Sequence, residues 1–124
     1  MKIYKHRIFE NWATSEGICD ATLREAVFQI NAGLFEANLG AGLYKKRIAR
    51  PGQGKRDGYR TLVAFKQDDR AVFLFGFAKN DKENIEEQQL SSLKRLAKDY
   101  LSASMIMINK AIKEGRLIEV KYDA

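Results

Sequence analysis

LYKKRIARPGQGKRDGYR, running from Leu43 to Arg60, is the stretch whose reading decides the fold. In its first half cations alternate with apolar residues at the two-residue period of a strand. Leu43, Lys45, Arg47 and Ala49 share one face, and Tyr44, Lys46, Ile48 and Arg50 share the other. Pro51-Gly52-Gln53-Gly54 is a turn signal, and Tyr59-Arg60 opens a second apolar run. The pattern predicts a two-stranded ribbon whose cations are held on rigid backbone, where a binding site needs them.

The same segment concentrates the charge. Lys45, Lys46, Arg47, Arg50, Lys55, Arg56 and Arg60 stand against one acid, Asp57, and the resulting net charge of +6 equals the formal net charge of the whole 124-residue chain. The remaining bases and acids cancel, so a basic site is fixed to an otherwise balanced scaffold. Clustered Lys and Arg gain affinity by displacing counterions from phosphates, which points to a polyanionic partner. A solvated basic loop that only keeps the protein soluble is the alternative. The strand-like alternation of cations around a glycine-rich connection argues against it.

Outward from the ribbon, Tyr59 to Lys66 is apolar on both faces, the signature of a strand in the middle of a sheet. Gln67-Asp68-Asp69 is a tight polar turn, and Arg70 to Lys79 alternates as a third strand. A three-stranded antiparallel meander with helices on at least one face follows, with the glycine-rich stretch from Gly33 to Gly42 as the crossing from helical layer to sheet. Ahead of it, Ile8, Phe9, Trp12 and Ala13 predict a short helix over about Arg7 to Glu16. Asp20 offers an N-cap for a second helix from Ala21 to about Ala32, with Leu23, Val27, Ile30 and Leu34 as its buried stripe. After the sheet, Asn80-Asp81-Lys82-Glu83 reads as a capping-box variant opening a helix to about Leu101. Ser102 to Ser104 interrupt that helix. A further apolar helix then uses Met105, Ile106, Ile108, Ala111 and Ile112, Gly115 stops it, and Leu117 to Tyr122 form an edge strand or a tail. The fold class is α+β, with N-terminal helices packed on a small twisted antiparallel sheet and one or more C-terminal helices behind it.

Length sets one domain. With 45% hydrophobic and 31% charged residues the chain reads as soluble and globular, and no apolar run reaches the roughly 18 residues of a membrane span. The start, MKIYKHRIFENW, lacks a continuous apolar core and a small-residue cleavage site, so no secretory signal and a cytoplasmic location are expected. Cys19, the only cysteine, excludes an intramolecular disulfide and a multi-cysteine metal site, and is expected to pack rather than react. His6, the only histidine, is expected to be solvated on a polar stretch. No HExxH or CxxC occurs, and PGQGK lacks the serine or threonine and the following helix of a P-loop, so no metal and no cofactor are expected.

The run GLYKKRIARPGQGKRDGYRTLVAF, followed by FLFGFAKND and an amphipathic helix, resembles the RelE/HigB toxins of bacterial type II toxin-antitoxin systems. The resemblance spans about Trp12 to Tyr100, and its most specific blocks are Lys45 to Phe65 and Phe75 to Ile85. It implies a single RelE-like domain over residues 1–124, with a core at about 7–101 and a C-terminal helical extension and tail at 102–124. It implies a metal-independent endoribonuclease that enters the ribosomal A site and cuts mRNA during translation. It also implies a cognate antitoxin, of the helix-turn-helix DNA-binding kind, with the ribosome and mRNA as the other partners and no membrane.

On that resemblance Lys45 is the candidate base and Arg47 and Arg60 are the clamps for the phosphate and the transition state. Lys46, Arg50, Lys55, Arg56 and Lys79 would hold RNA or ribosomal RNA backbone. The chemistry agrees in kind. Metal-free RNA cleavage needs a base for the 2′-hydroxyl, a cation for the phosphorane and an acid for the leaving 5′-oxygen, and arginine grips phosphate with two donors. Two departures stand out. Asn80 occupies a place where some relatives carry arginine, and Asn84, Ile85 and Glu86 replace a tyrosine or histidine that some use as acid-base group, which leaves the general acid unassigned. Tyr59 reads as a core residue before a base-stacking one. Two other readings compete: a non-enzymatic toxin of the ParE branch, which binds DNA gyrase, and a plain nucleic-acid-binding module. The apolar face expected around Met105 to Ile112 is a candidate docking surface for the antitoxin.

Overall fold

The computed structural model describes residues 1–50, 58–78 and 85–121. Strand β1 (Lys2–His6) runs into helices α1 (Arg7–Glu16) and α2 (Asp20–Asn31). Strands β2 (Ala37–Gly40), β3 (Leu43–Ile48), β4 (Tyr59–Lys66) and β5 (Arg70–Ala78) follow, then α3 (Glu87–Ser102), α4 (Met105–Lys113) and β6 (Leu117–Glu119). The sheet order is β2-β3-β4-β5-β1-β6, antiparallel throughout except where β1 runs parallel to β5.

The expected meander β3-β4-β5 is the middle of this sheet, and β4 has the predicted limits. Every residue from Tyr59 to Phe65 is buried, so both faces of the strand need cover. Helices α1 and α2 cover one face, packing Phe9, Ala13, Leu23, Val27 and Ile30 on Ile48, Tyr59, Val63 and Phe73. Helices α3 and α4 cover the other, packing Leu93, Ala97, Tyr100, Ile108 and Ala111 on Leu43, Leu62, Ala64 and Val72. On the first face Trp12 lies against Gly76, where an added Cβ would come within 2.2 Å of the indole ring.

Several expectations are corrected. The polar start is a strand: Tyr4 is buried, and so is Lys5, whose ammonium pairs with Glu10 and Asp20 at 2.9 Å each. Burial would depress the Lys5 pKa, but the hydrogen bonds to those carboxylates outweigh it and hold the group above its ordinary value. The crossing from Gly33 to Gly42 contains β2, and among the described residues the sheet has six strands instead of three; the expected helical cover of at least one face extends to both. Helix α3 begins at Glu87, later than expected; the capping segment Asn80 to Glu83 lies outside the described residues. Leu34 is exposed rather than buried, and Cys19 is an exposed N-cap of α2 instead of a packed residue; Met105 and Ile106 are exposed, in line with the apolar face expected there.

Three polar side chains hold the α3–α4 junction and the segment after β6 in place. Arg70, 8% exposed, donates through Nη1 to the carbonyls of Tyr100 and Ala103 at 3.0 and 2.8 Å, satisfying the end of α3 where the chain breaks before α4. Asp20 accepts from the backbone N–H of Lys121, and Arg24 donates to its carbonyl, fastening the chain after β6.

His6 is half-buried at the end of β1. Its Nδ1 accepts from the N–H of Ile8 at 3.2 Å, making it the N-cap of α1. Burial, then the charges of Arg7 and Arg116, lower its pKa from the ordinary value. The unfolded chain therefore binds this proton more tightly, and stability should fall as pH drops through and below about 6.5. Denaturant midpoints measured between about pH 7.5 and 5.5 should show that slope, and His6→Asn, which keeps a capping acceptor without titrating, should flatten it.

Candidate functional site

The ladder between β3 and β4 sets Arg47 directly opposite Arg60, and Lys45 opposite Leu62. Because strand side chains alternate, Lys45, Arg47 and Arg60 leave the same face, the one that α3 covers further along. On the other side of Arg60, Phe77 of β5 is its register partner. Like charges directly across an antiparallel pair repel and are destabilising unless something anionic lies between them.

Arg60 is the distinctive member. It is only 7% exposed, and its Nη1 is buried without a hydrogen-bond partner among the described residues. The comparison with other buried cations is direct. Lys5 at 6% and Arg70 at 8% exposure are each held by hydrogen bonds to carboxylates or carbonyls. Buried donors are normally satisfied, so an unpaired guanidinium nitrogen marks a place where a ligand acceptor is expected. Among the described residues no acid pairs with Lys45, Arg47 or Arg60. Glu36 does approach Arg47, but its carboxylate accepts from the backbone N–H.

Not all of the ribbon's cations join this group. Lys46 is buried on the opposite face, opposite Thr61. Arg50 is half-buried beyond the end of β3, with its guanidinium 5.5 Å from the centre of the Tyr59 ring. Lys55, Arg56 and Lys79 lie outside the described residues. Tyr59 is a core residue: its ring meets Trp12 edge-on at 5.1 Å and its hydroxyl donates to Glu16 at 2.9 Å. Burial and the Glu16 carboxylate together raise its pKa, which keeps the phenol neutral.

Beside the cations lies a cleft of about 210 Å³ lined by Leu39, Lys45, Leu62, Ile85 and Leu90. Among the described residues that line it, Lys45 is the one titratable group. Ile85, at the place where an acid-base residue was sought, is a half-buried aliphatic wall, and Glu86 is an exposed N-cap of α3. Sequence reading missed this cleft because Ile85 and Leu90 fit a core stripe and Leu39 sits in a glycine-rich stretch. The usable signal was the gradient along β3, apolar at Leu43 and basic from Lys45 onward. A separate cavity of about 510 Å³, lined by Met1, Ile3, Val27 and Phe28 among others, is on the α2 side and touches none of these residues.

Scanned against models of known families, residues 1–120 match the RelE toxin of the RelE/RelB toxin-antitoxin system. The chain belongs to the RelE toxin family. Comparison with curated proteins returned no match. The protein is thus one of the toxins that pair with antitoxins, and its α+β sheet with helices before and after it fits a RelE-like fold. Among the described residues no helix is long and apolar enough to cross a membrane, and no cluster of His, Cys, Asp and Glu could hold a metal.

The unsatisfied burial of Arg60 has a measurable consequence. Replacing a buried charge by an apolar side chain of similar length is often neutral or stabilising by about 1–4 kcal/mol. Arg60→Met should therefore unfold at the same or higher denaturant concentration than the native toxin, whereas Arg70→Met, which strips the end of α3 of its donor, should unfold earlier.

Proposed function

We propose that this RelE-family toxin is a metal-independent, ribosome-dependent endoribonuclease that cuts mRNA in the A site. The observation that supports this most is the convergence of Lys45, Arg47 and Arg60 on one sheet face with a guanidinium nitrogen of Arg60 buried and unpaired. Such a group spends folding stability on a donor aimed at an anion, the arrangement that electrostatic catalysis of phosphoryl chemistry requires.

In this reading Lys45 accepts the proton of the 2′-hydroxyl. The 2′-oxygen attacks the adjacent phosphorus, Arg47 and Arg60 stabilise the phosphorane, and the P–O5′ bond breaks to leave a 2′,3′-cyclic phosphate and a 5′-hydroxyl. Water protonates the departing oxygen. With Lys45 the one titratable group among the described residues of the cleft, the site handles free RNA poorly, and the ribosome contributes by holding the mRNA in the attack geometry, which alone is worth several kcal/mol. Arg50, Lys55, Arg56 and Lys79 serve the ribosomal RNA backbone, while Lys46 acts through the packing of β3. No cofactor takes part.

The partner that restrains the toxin is a cognate antitoxin of the helix-turn-helix type. We place its contact on the exposed ridge of Met105, Ile106 and Met107 on α4, away from the cations. Since Ile108, Ala111 and Leu117 belong to the core, removal of everything after Ser102 would unfold the toxin, so a point change is the cleaner probe. Ile106→Asp should weaken antitoxin binding by at least about tenfold without altering toxicity, as expected for an aliphatic anchor at an interface; unchanged affinity would remove α4 from the contact.

Cleavage of a defined mRNA in a reconstituted translation system, with and without ribosomes, tests the activity. Native toxin should cut only on ribosomes, and Arg47→Ala or Arg60→Met should each lower the rate by about 10²–10³-fold, the usual loss for one oxyanion-stabilising donor. Growth arrest without cleavage would instead favour a ParE-like binding mode.

A further inference from the structure

The aliphatic cleft beside the cations has a use that phosphate binding does not explain. Among the described residues, four of the five that line it are Leu or Ile, and its floor, Leu62, is 1% exposed. Its position relative to the cations is fixed by the ladder. Lys45 and Leu62 form one cross-strand pair, and Arg47 and Arg60 form the pair two residues along on the same face. That step is about 6.6–6.8 Å. An occupant must therefore be flat or apolar where it meets the leucines and anionic one strand step away. A nucleotide has this layout, with its base on one side of the sugar and its phosphate on the other.

We propose that the Leu39–Leu62–Ile85–Leu90 cleft is a nucleobase subsite that receives a base next to the phosphate held by Arg47 and Arg60. This deepens the endoribonuclease reading and rests on it for the identity of the substrate. Leu39 enters the cleft from the irregularity between β2 and β3, Ile85 and Leu90 from the approach to α3 and its first turn, and Leu62 from the central strand. Three separate elements thus close on one aliphatic slot. The four aliphatic side chains offer no hydrogen bonds to the base edge, so their contribution to selection is by contact area, which favours purines over pyrimidines.

The test uses the full toxin with 2′-O-methyl purine dinucleotides, which cannot be cleaved, and their counterparts with one base missing, followed by methyl resonances. The intact dinucleotide should shift the methyl signals of Leu39, Ile85 and Leu90, and the abasic one should not. Leu90→Phe, which fills the slot from a half-buried position, should weaken the intact dinucleotide by at least about fivefold, the lower end for losing one base contact, and leave the abasic one unchanged. Equal shifts with both probes, or no effect of Leu90→Phe, would overturn the subsite and leave the cation pair standing. Shifts with an acidic leucine-containing peptide but not with the dinucleotide would overturn it in favour of a protein occupant. Methyl shifts from the dinucleotide alongside a failure to cut mRNA on ribosomes would support the subsite and remove the nuclease reading.

Discussion

The burial of β4 on both faces is the constraint from which the rest of the structure follows. A strand without a wet face cannot be left with helices on one side only, so α1 and α2 close over Tyr59, Val63 and Phe65 while α3 and α4 close over Leu62 and Ala64. The same burial gives Arg60 its meaning. Placed second in this strand, it stands opposite Arg47, with Phe77 on its other side. Its side chain is buried between its neighbours, and among the described residues its Nη1 has no hydrogen-bond partner, which leaves a donor for an acceptor from outside them.

Elsewhere the fold treats buried cations differently. Lys5 is held between Glu10 of α1 and Asp20 of α2, and that triangle sets how the two helices sit on β1. Asp20 feels burial as an upward push on its pKa, but the N–H of Lys121 and the ammonium of Lys5 outweigh it and hold it below the ordinary carboxylate range. Arg70 is spent on carbonyls at the α3–α4 junction. These cations solve structural problems, and each is fully engaged. Stability gained there offsets the cost of carrying Arg60, whose Nη1 is unsatisfied among the described residues, beside its like-charged neighbour Arg47.

The central ribbon, both N-terminal helices and the terminal edge strand were legible because their periodicity is local. Tyr59 to Lys66 reads as a buried strand from composition alone, and Gly115, at φ 78°, is a helix stop by its backbone freedom. Strand β1 was not legible for a physical reason. Lys5 looks like a solvent residue until its partners are known, and Glu10 and Asp20 are five and fifteen residues away. Strand β2 has four residues and a bulge, too short for a period to show. In the site, alternation along β3 correctly grouped Lys45 with Arg47 and set Lys46 apart, yet the segment's charge drew all of them into one binding surface. What the pairing register adds is that Lys45 and Arg47 share the face of Arg60, while Lys46 is turned into the α2 side.

What the ladder fixes is relative position, and position is what a small cationic site most needs. Arg47 and Arg60 are side by side because two strands pair in register, not because two flexible side chains meet, so little conformational freedom remains to be lost when a phosphate arrives. The cleft at Lys45 is tied to the same register. A shift of β3 by one residue would send Lys45 and Arg47 to the α2 face and bring Lys46 to Arg60, scrambling cations and cleft together. Site and fold therefore share one determinant, the β3–β4 pairing, which explains why Lys45, Arg47 and Arg60 stand on paired strands.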